Sequence, residues 1–265
     1  MQNGGKRGKY ENIIITNHTA KKNLLLFSTS KMRSSKYYLG YALPSIKSFL
    51  SNKNIDTITC ITFPYASDKE ERSMYHTNIK PAFKSIGFNV TQISKNEDIK
   101  SMIKKINDAQ AIYVCGGNTY NLVKILQQNN LMKLLRDKIL SGTPYIGASA
   151  GTNIVCPTLK TSNDLPVVWP ESAKTLNLIP FQINVHYDES YICGGESRED
   201  KIERYLTEHP KKKVLGLEDG TFIYVSDNYA ELLGLNTRQA ILMQNKGGRF
   251  VKEYINVESV ISDLL

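Results

Sequence analysis

The chain is predicted to be an α/β protein with a mostly parallel central sheet flanked by helices, followed by an antiparallel carboxyl-terminal extension. Two observations predict this class. Up to Ala148, short apolar runs of strand length alternate with longer helix-compatible runs, a pattern typical of parallel strands joined by right-handed crossovers. After the helix near Arg198 the runs become short and are separated by tight turns, which indicates antiparallel pairing.

The predicted elements follow one another with little chain between them. In the first part they are strand 24–28, helix 37–50, strand 57–63, helix 67–86, strand 89–93, helix 97–106, strand 111–114, helices 119–128 and 131–140, and a strand ending at Ala148. In the second part they are a helix at 199–208 and strands at 214–217, 221–226, 229–233 and 240–243. The absence of a linker, repeat or low-complexity block predicts one domain, residues 22–265, after a flexible basic extension, residues 1–21.

Composition agrees with an ordinary globular protein. The 265 residues are enough to bury one substantial core, and the hydrophobic fraction of 41% and charged fraction of 22% are unexceptional. No run of about 18 apolar residues is present, and the basic amino terminus lacks an apolar segment, so neither a membrane span nor a secretory signal is predicted. The four cysteines are widely spaced without Cys-x-x-Cys, which favours a reducing, cytoplasmic location and no zinc site.

The net charge of +9, from 34 basic and 25 acidic residues, raises the question of a nucleic-acid partner. The basic residues are dispersed, with local clusters only at 6–9 together with 21–22, and at 211–213. Neither cluster is interleaved with aromatic residues in a recognisable binding motif. We therefore expect no nucleic-acid partner, and the positive field instead favours an acidic substrate.

A Gly-x-Ser-x-Gly motif follows the last predicted parallel strand. The run 145–148 leads into the motif at 147–151, and residues 152–156 are compatible with a helix. A serine on a tight strand-to-helix turn is held clear of its neighbours, and the next backbone N–H can face a developing oxyanion. The motif indicates a nucleophile elbow at Ser149, with an ordinary glycine-rich turn and a helix-capping serine as the alternative.

A nucleophilic serine needs a base, which is usually histidine. His18 lies in the amino-terminal extension, His76 in a charged helical stretch, and His209 at the end of a helix, and all three are expected at the surface. His186 instead ends the apolar run 178–185. A histidine at the carboxyl end of a strand in a parallel sheet lies where ligands bind, so His186 is the favoured base, with a structural histidine as the alternative.

Five ordered segments carry a resemblance to a known family. They are a Gly-Gly-Asn-Thr loop before a helix (116–122), the nucleophile segment (146–153), an Asn-Asp loop (156–166), the segment containing His186 (180–187) and a Gly-Glu-Ser-Arg-Glu segment (195–199). In this order and register they resemble peptidase E, the α-aspartyl dipeptidase family of serine peptidases. The match covers nearly the whole chain, residues 23–234, and several motifs in one register are far more specific than any one of them.

The resemblance implies a catalytic triad. Ser149 would be the nucleophile and His186 the general base. The family's third member is an acidic residue in a Gly-Leu-x-acid-Gly turn, which here spans residues 216–220 and has Asp219 at the aligned position. The family member compared has glutamate there, so the neighbouring Glu218 stays open as the alternative. Either carboxylate could hold the imidazole in the correct tautomer.

The resemblance also implies an oxyanion hole and a binding site for an aspartyl side chain. The oxyanion donors would be the N–H of Ala150 and one from the glycine-rich loop, Gly117 or Asn118. Arg198 would grip the substrate carboxylate, because a guanidinium can do so bidentately. Asp164 would help to bind the substrate α-amino group or shape the pocket, with a turn-forming aspartate as the alternative.

The sequence therefore predicts a serine dipeptidase that cleaves Asp-Xaa dipeptides through an acyl-enzyme and requires no metal or organic cofactor. The expected partner is a small peptide substrate, with no nucleic acid and no membrane, and a homodimer is an open expectation. One alternative is a cyanophycinase-like hydrolase of β-aspartyl linkages. A class I glutamine amidotransferase-like protein, which shares the layering, is disfavoured because its nucleophile is cysteine. A catalytically silent binding protein on the same fold is the last alternative.

Overall fold

The computed structural model describes residues 21–32, 35, 37–51, 53–65, 67–190, 192–193 and 195–265. The predicted basic extension lies outside these residues apart from Lys21, and so does His18. At the start of the described chain, the backbone N–H groups of Lys21 and Lys22 donate to the carboxylate of Asp227 at 3.3 and 2.8 Å. Within the described ranges, no helix is both long enough and apolar enough to cross a membrane.

Strands and helices alternate in the first half of the described chain. The strands are β1 (Asn23–Phe27), β2 (Thr57–Ile61), β3 (Asn89–Ile93), β4 (Ala111–Val114), β5 (Tyr145–Ala148), β6 (Gln182–Asn184), β7 (Ile192–Cys193), β8 (Glu196–Ser197), β9 (Lys213–Leu217), β10 (Thr221–Ser226), β11 (Tyr229–Gly234), β12 (Gln239–Lys246), β13 (Arg249–Asn256) and β14 (Ser259–Val260). The helices are α1 (Leu43–Leu50), α2 (Asp68–Met74), α3 (Lys80–Ser85), α4 (Ile99–Asp108), α5 (Thr119–Gln128), α6 (Leu131–Leu140), α7 (Ala150–Asn153) and α8 (Arg198–Glu208). A π-helical segment (Tyr75–Ile79) joins α2 to α3, and a 3₁₀ turn (Ser262–Leu264) follows β14.

The main sheet is mixed, with strand order β14-β11-β10-β1-β5-β4-β2-β3. Strands β1 to β5 pair in parallel, which confirms the predicted parallel core of the sheet. Strand β1 is buried along its whole length: Leu24 and Leu26 face one core cluster, and Leu25 and Phe27 face the other. Burial on both faces explains why the strand is apolar from Leu24 to Phe27, and each buried leucine stabilises the fold by roughly 1.5–3 kcal/mol.

The carboxyl-terminal strands do not form a single extension. Strands β10, β11 and β14 continue the main sheet beside β1 in antiparallel pairing, whereas β13, β12, β9 and β6 form a second sheet in that order. In the second sheet β6 is parallel to β9, and the other pairs are antiparallel. One face of this sheet packs on the core cluster beneath α4, α5 and α6, and α8 covers the other.

The strand that precedes His186 is shorter than predicted and lies in the second sheet, not in the main one. Only Gln182–Asn184 of the predicted run 178–185 pairs as a strand. Earlier in the run, the N–H of Leu178 donates to the carbonyl of Val155 at 2.8 Å, and Pro180 has no N–H to offer. The first part of the run is therefore held by the segment after α7 instead of by a neighbouring strand.

Two predicted helices also differ. The helix predicted at 37–50 begins only at Leu43, because Leu39 adopts a left-handed conformation (φ 54°) that interrupts helical geometry. The helix predicted at 67–86 contains the π-helical segment. Strand β13 was not predicted, since most of its side chains are exposed or half-buried and carry no apolar alternation.

Candidate active site

The carboxyl ends of five strands from both sheets meet at one place. Ser28 follows β1, Gly116 lies just beyond β4, and Ser149 follows β5 in the main sheet. His186 lies just beyond β6, and Asp219 just beyond β9, in the second sheet. Carboxyl ends of parallel strands form the usual ligand-binding edge of an α/β protein. These five residues therefore meet at such an edge, although they lie far apart in the chain.

Ser149 occupies a strained turn between β5 and α7, with φ 52° and ψ −107°. This backbone conformation costs a non-glycine residue roughly 1–2 kcal/mol. Contacts with neighbouring segments stabilise it. The N–H of Ser149 donates to the carbonyl of Phe27 at 3.1 Å. The flanking glycines are required by close backbone approach: a Cβ at Gly147 would lie 2.6 Å from the carbonyl oxygen of Gly151, and a Cβ at Gly151 only 2.2 Å from that of Val114. This is the tight geometry of a nucleophile elbow.

A continuous hydrogen-bonded chain links three side chains. Oγ of Ser149 lies 2.8 Å from Nε2 of His186, and Nδ1 of His186 lies 2.7 Å from Oδ1 of Asp219. A carboxylate accepts the Nδ1–H, which leaves Nε2 as an acceptor for the serine hydroxyl. The three residues named by the motifs are thus brought together in the order that nucleophile activation requires.

Glu218, the alternative third member, is directed elsewhere. Its Oε2 accepts the backbone N–H of Gln239 at 3.2 Å and lies 4.0 Å from Nη1 of Arg238. Adjacent residues in the turn after β9 therefore serve different purposes. Asp219 contacts the imidazole, and Glu218 joins β9 to the start of β12.

Sequence reasoning missed Ser28, which lies beneath the histidine. This fully buried side chain accepts the backbone N–H of His186 at 2.9 Å and donates to the carbonyl of Leu217 at 2.9 Å. Its Oγ also lies 3.3 Å from Oδ1 of Asp219. The available signal was a polar residue directly after the apolar run Leu24–Phe27 of a central strand, because that position lies at the ligand-binding edge of the sheet.

Tyr41 adds to the surroundings of Asp219. Its hydroxyl donates to the carbonyl of Thr29 at 2.6 Å. Burial raises the pKa of Tyr41 far above the ordinary tyrosine range, and the nearby Asp219 carboxylate raises it further. The tyrosine is therefore a neutral neighbour of this carboxylate.

The predicted oxyanion donors flank Ser149. Ala150 is the first residue of α7, where helix geometry gives its N–H no intrahelical acceptor. The glycine-rich loop is close by, since a Cβ at Gly116 would lie 3.2 Å from Cβ of Ser149. Gly117 follows with φ 138°, a conformation open to glycine. Both segments place backbone next to Ser149, and their role as donors stays a prediction.

Asn118 and Asp164 hold the loop on which they lie. Asn118 caps α5 by accepting the N–H of Asn121 at 3.1 Å, and its Nδ2 donates to the carbonyl of Leu165 at 2.8 Å. The backbone N–H of Asn118 donates to a proline carbonyl at 3.0 Å, which leaves Gly117 the better donor to an oxyanion. Oδ2 of Asp164 accepts both the N–H (2.7 Å) and the hydroxyl of Thr119. These contacts match the alternative in which Asp164 shapes a turn instead of binding the substrate.

Arg198 lies next to the histidine-bearing segment. It is the first residue of α8 and is half-buried, and its Nη1 donates to the carbonyl of Val185 at 3.0 Å. The same carbonyl accepts Nδ2 of Asn163 at 2.8 Å. Since Val185 directly precedes His186, this bond attaches the guanidinium to the segment that carries the histidine. Its role in binding a substrate carboxylate stays a prediction.

The remaining described histidines lie elsewhere. His76 is exposed on the π-helical segment, and His209 ends α8, with Nε2 3.3 Å from Nζ of Lys160. Within the described part of the chain, no group of three or more histidine, cysteine, aspartate or glutamate side chains is arranged to hold a metal ion.

Comparison with known proteins identifies the family. The model of peptidase family S51 matches residues 24–233. This chain belongs to peptidase family S51. Peptidase E of Nostoc sp. is 39% identical over 218 residues, which cover 82% of this chain and 87% of that protein. Peptidase E of Haemophilus influenzae (strain KW20 / Rd) is 32% identical over 80% of this chain and 96% of its own length.

Solved structures extend the comparison to the fold of family S51. A candidate peptidase E from Listeria monocytogenes EGD-e superposes with a TM-score of 0.63 at 25% identity, covering 81% of this chain and 98% of that one. A peptidase from an acI-B1 actinobacterium gives a TM-score of 0.69 over 92% of this chain and 97% of that one, and at 15% identity it supports the fold alone. The predicted family and fold class are confirmed, and the chain is a serine peptidase of the dipeptidase type.

Proposed function

We propose that this peptidase hydrolyses dipeptides with an amino-terminal aspartate, using Ser149, His186 and Asp219 as its triad. The observation that carries the proposal is the unbroken chain of short contacts, 2.8 Å from serine to imidazole and 2.7 Å from imidazole to carboxylate. The strained elbow at Ser149 supports it, because backbone strain persists where surrounding structure enforces it, and this often occurs at functional sites.

The reaction proceeds through an acyl-enzyme. Oγ of Ser149 attacks the carbonyl carbon of the Asp-Xaa bond while Nε2 of His186 takes the hydroxyl proton. Asp219 accepts the Nδ1–H and stabilises the resulting imidazolium. The imidazolium then gives its proton to the leaving amine, and the C–N bond breaks. Water, deprotonated by the same histidine, then attacks the ester carbon. The bond from that carbon to Oγ of Ser149 breaks, the imidazolium returns its proton to Oγ, and aspartate is released.

Charge stabilisation in the tetrahedral intermediate is assigned to backbone N–H groups. The N–H of Ala150 and one from Gly117 would face the oxygen that becomes negative, since their segments border Ser149 on two sides. A preorganised donor of this kind contributes about 2.7–4 kcal/mol to lowering the barrier.

Preference for aspartate is assigned to Arg198. Its bond to the carbonyl before His186 attaches the guanidinium to the segment that carries the proposed base, and a guanidinium can bind a carboxylate bidentately. The relatives named peptidase E support this substrate class for the present chain.

The test is hydrolysis of a dipeptide panel by the purified protein: Asp-Leu, Asn-Leu, Glu-Leu, β-linked Asp-Leu and Ala-Leu. Cleavage restricted to α-linked Asp-Leu, and lost in Ser149→Ala, is the expected result. Ser141→Ala is the matched control, because Ser141 is exposed at the opposite end of β5. Cleavage of the β-linked peptide alone would favour the cyanophycinase-like alternative, and equal activity of Ser149→Ala would remove the proposed nucleophile.

A further inference from the structure

The carboxyl end of β1 contacts the segments that carry all three proposed triad members. The carbonyl of Phe27 accepts the N–H of Ser149 at 3.1 Å. The hydroxyl of Ser28 accepts the N–H of His186 at 2.9 Å and lies 3.3 Å from Oδ1 of Asp219. Two consecutive residues at the centre of the main sheet therefore adjoin the nucleophile, the base and the carboxylate.

The hydroxyl of Ser28 uses its hydrogen and one of its two lone pairs in hydrogen bonds. A hydroxyl has one hydrogen and two lone pairs. One lone pair receives the N–H of His186, and the hydrogen is directed to the carbonyl of Leu217 at 2.9 Å, with the Asp219 oxygen as the longer second acceptor. The side chain is 0% exposed, so water cannot readily replace these bonds.

The backbone of His186 needs this support. Its φ of 54° lies in the left-handed region, which non-glycine residues seldom adopt. The N–H of His186 is held by Ser28, and the next N–H, that of Tyr187, is held by the carbonyl of Leu217 at 2.9 Å. Because the imidazole direction follows from this backbone conformation, loss of the Ser28 acceptor would allow Nε2 to move away from Ser149.

We propose that Ser28 is a positioning residue that aligns the His186–Asp219 pair of the second sheet with Ser149 of the main sheet. It acts through the backbone N–H of His186, through the turn that carries Asp219 and through its longer contact to Oδ1 of Asp219. The inference rests on the proposed function only in taking these three residues as the triad, and it does not depend on the identity of the dipeptide.

Its test uses a probe that is independent of peptide specificity, a short-chain alkyl fluorophosphonate. Oγ of Ser149 bonds to phosphorus, fluoride leaves, and His186 takes the hydroxyl proton, so the labelling rate reports the alignment of serine and imidazole. The rate is measured by intact-protein mass spectrometry for the full chain and for Ser28→Ala, with Ser149→Ala as the unlabelled reference. Steady-state kinetics with Asp-Leu give kcat and KM separately.

Two control variants separate positioning from general destabilisation. Ser45→Ala removes another fully buried serine hydroxyl, in α1, whose oxygen has no hydrogen-bond partner among the described residues. Ile106→Val removes one methylene from the core beneath α4 and should lower stability modestly. Both should label and turn over like the wild-type protein. If Ser28→Ala fails to fold, Ser28→Cys replaces it, because a thiol keeps a side chain there but is a weak donor and acceptor.

We expect Ser28→Ala to fold, to label about 10- to 100-fold more slowly and to lose kcat by a similar factor, with KM within about twofold, since small misplacement of a reacting group costs up to about 10² in rate. Wild-type labelling and turnover rates in the Ser28 variant would overturn the inference. Failure of the wild-type protein to label would remove Ser149 as the nucleophile, and the inference with it. Labelling without cleavage of Asp-Leu would reject only the aspartyl specificity, and the labelling rates would still decide the role of Ser28.

Discussion

Neutralising Asp219 is the sharpest test of the proposed triad. In Asp219→Asn the side-chain shape is kept, but the group facing Nδ1 of His186 at 2.7 Å is no longer a carboxylate. If the amide NH₂ faces the ring, Nδ1 must accept, and the proton of the neutral imidazole moves to Nε2. Nε2 then faces Oγ of Ser149 at 2.8 Å as a donor and cannot take the hydroxyl proton.

The expected loss is large because both functions of the carboxylate disappear together. The wrong tautomer is stabilised, and the imidazolium formed during attack has no counter-charge. Neutralising the carboxylate of a comparable serine triad lowers kcat by about 10⁴, which corresponds to about 5.4 kcal/mol in the activation barrier. Stability should change much less, by about 1 kcal/mol, since an isosteric amide can still make hydrogen bonds.

The assay is steady-state hydrolysis of Asp-Leu with urea unfolding measured on the same preparations. Glu218→Gln is the matched control: it neutralises the adjacent carboxylate, which contacts Gln239 and Arg238 instead of the imidazole. We expect kcat of Glu218→Gln to stay within about threefold of wild type, because the carboxylate that it neutralises contacts Gln239 and Arg238 and not the imidazole.

Two results would refute the reasoning. Retention of more than a tenth of wild-type kcat in Asp219→Asn would mean that the imidazole does not depend on this carboxylate. A larger loss in Glu218→Gln than in Asp219→Asn would reassign the third member to Glu218 and would require the turn after β9 to rearrange when substrate binds.

The remaining predictions concern specificity, the elbow and pH. Arg198→Ala should raise KM for Asp-Leu by about 10- to 100-fold, the value of charged hydrogen bonds, whereas Arg204→Ala on the exposed side of α8 should not; equal effects would remove Arg198 from the pocket. Gly151→Ala should lose about 3 kcal/mol in urea unfolding or fail to fold, because its Cβ would meet the carbonyl of Val114 at 2.2 Å; an unchanged midpoint would contradict this. Burial raises the pKa of Cys156 from 9.0 to about 12, so the thiol of the unfolded chain ionises at a lower pH than the thiol of the folded chain. The free energy of unfolding therefore keeps the full contribution of the neutral thiol below about pH 9 and loses it as pH rises towards 12. The loss is on the order of 3 kcal/mol at about pH 11, and it is measured as a decrease in unfolding free energy that Cys156→Ala does not show.

Local pattern determined much of this fold. Strands β3, β4 and β10 and helices α5 and α6 begin and end where the sequence predicted, because each is a short apolar or amphipathic run bounded by clear turn signals. Glycine spacing also indicated the tight turn at Ser149, and the end of an apolar run indicated that His186 lies just beyond a strand. Their roles as nucleophile and base stay predictions. Single-domain organisation stays a prediction.

Only the tertiary structure decided how the distant parts meet. Glu218 and Asp219 are neighbours in one turn, and no local signal tells which of them faces a histidine that lies more than thirty residues earlier. The proposed role of Ser28 depends on the approach of the two sheets, because its hydrogen-bond partners are His186, just beyond β6, and Leu217, the last residue of β9. The physical reason is the same in each case: residue type and spacing determine which element forms, whereas side-chain direction at an element's end is determined by pairing partners far away in the chain.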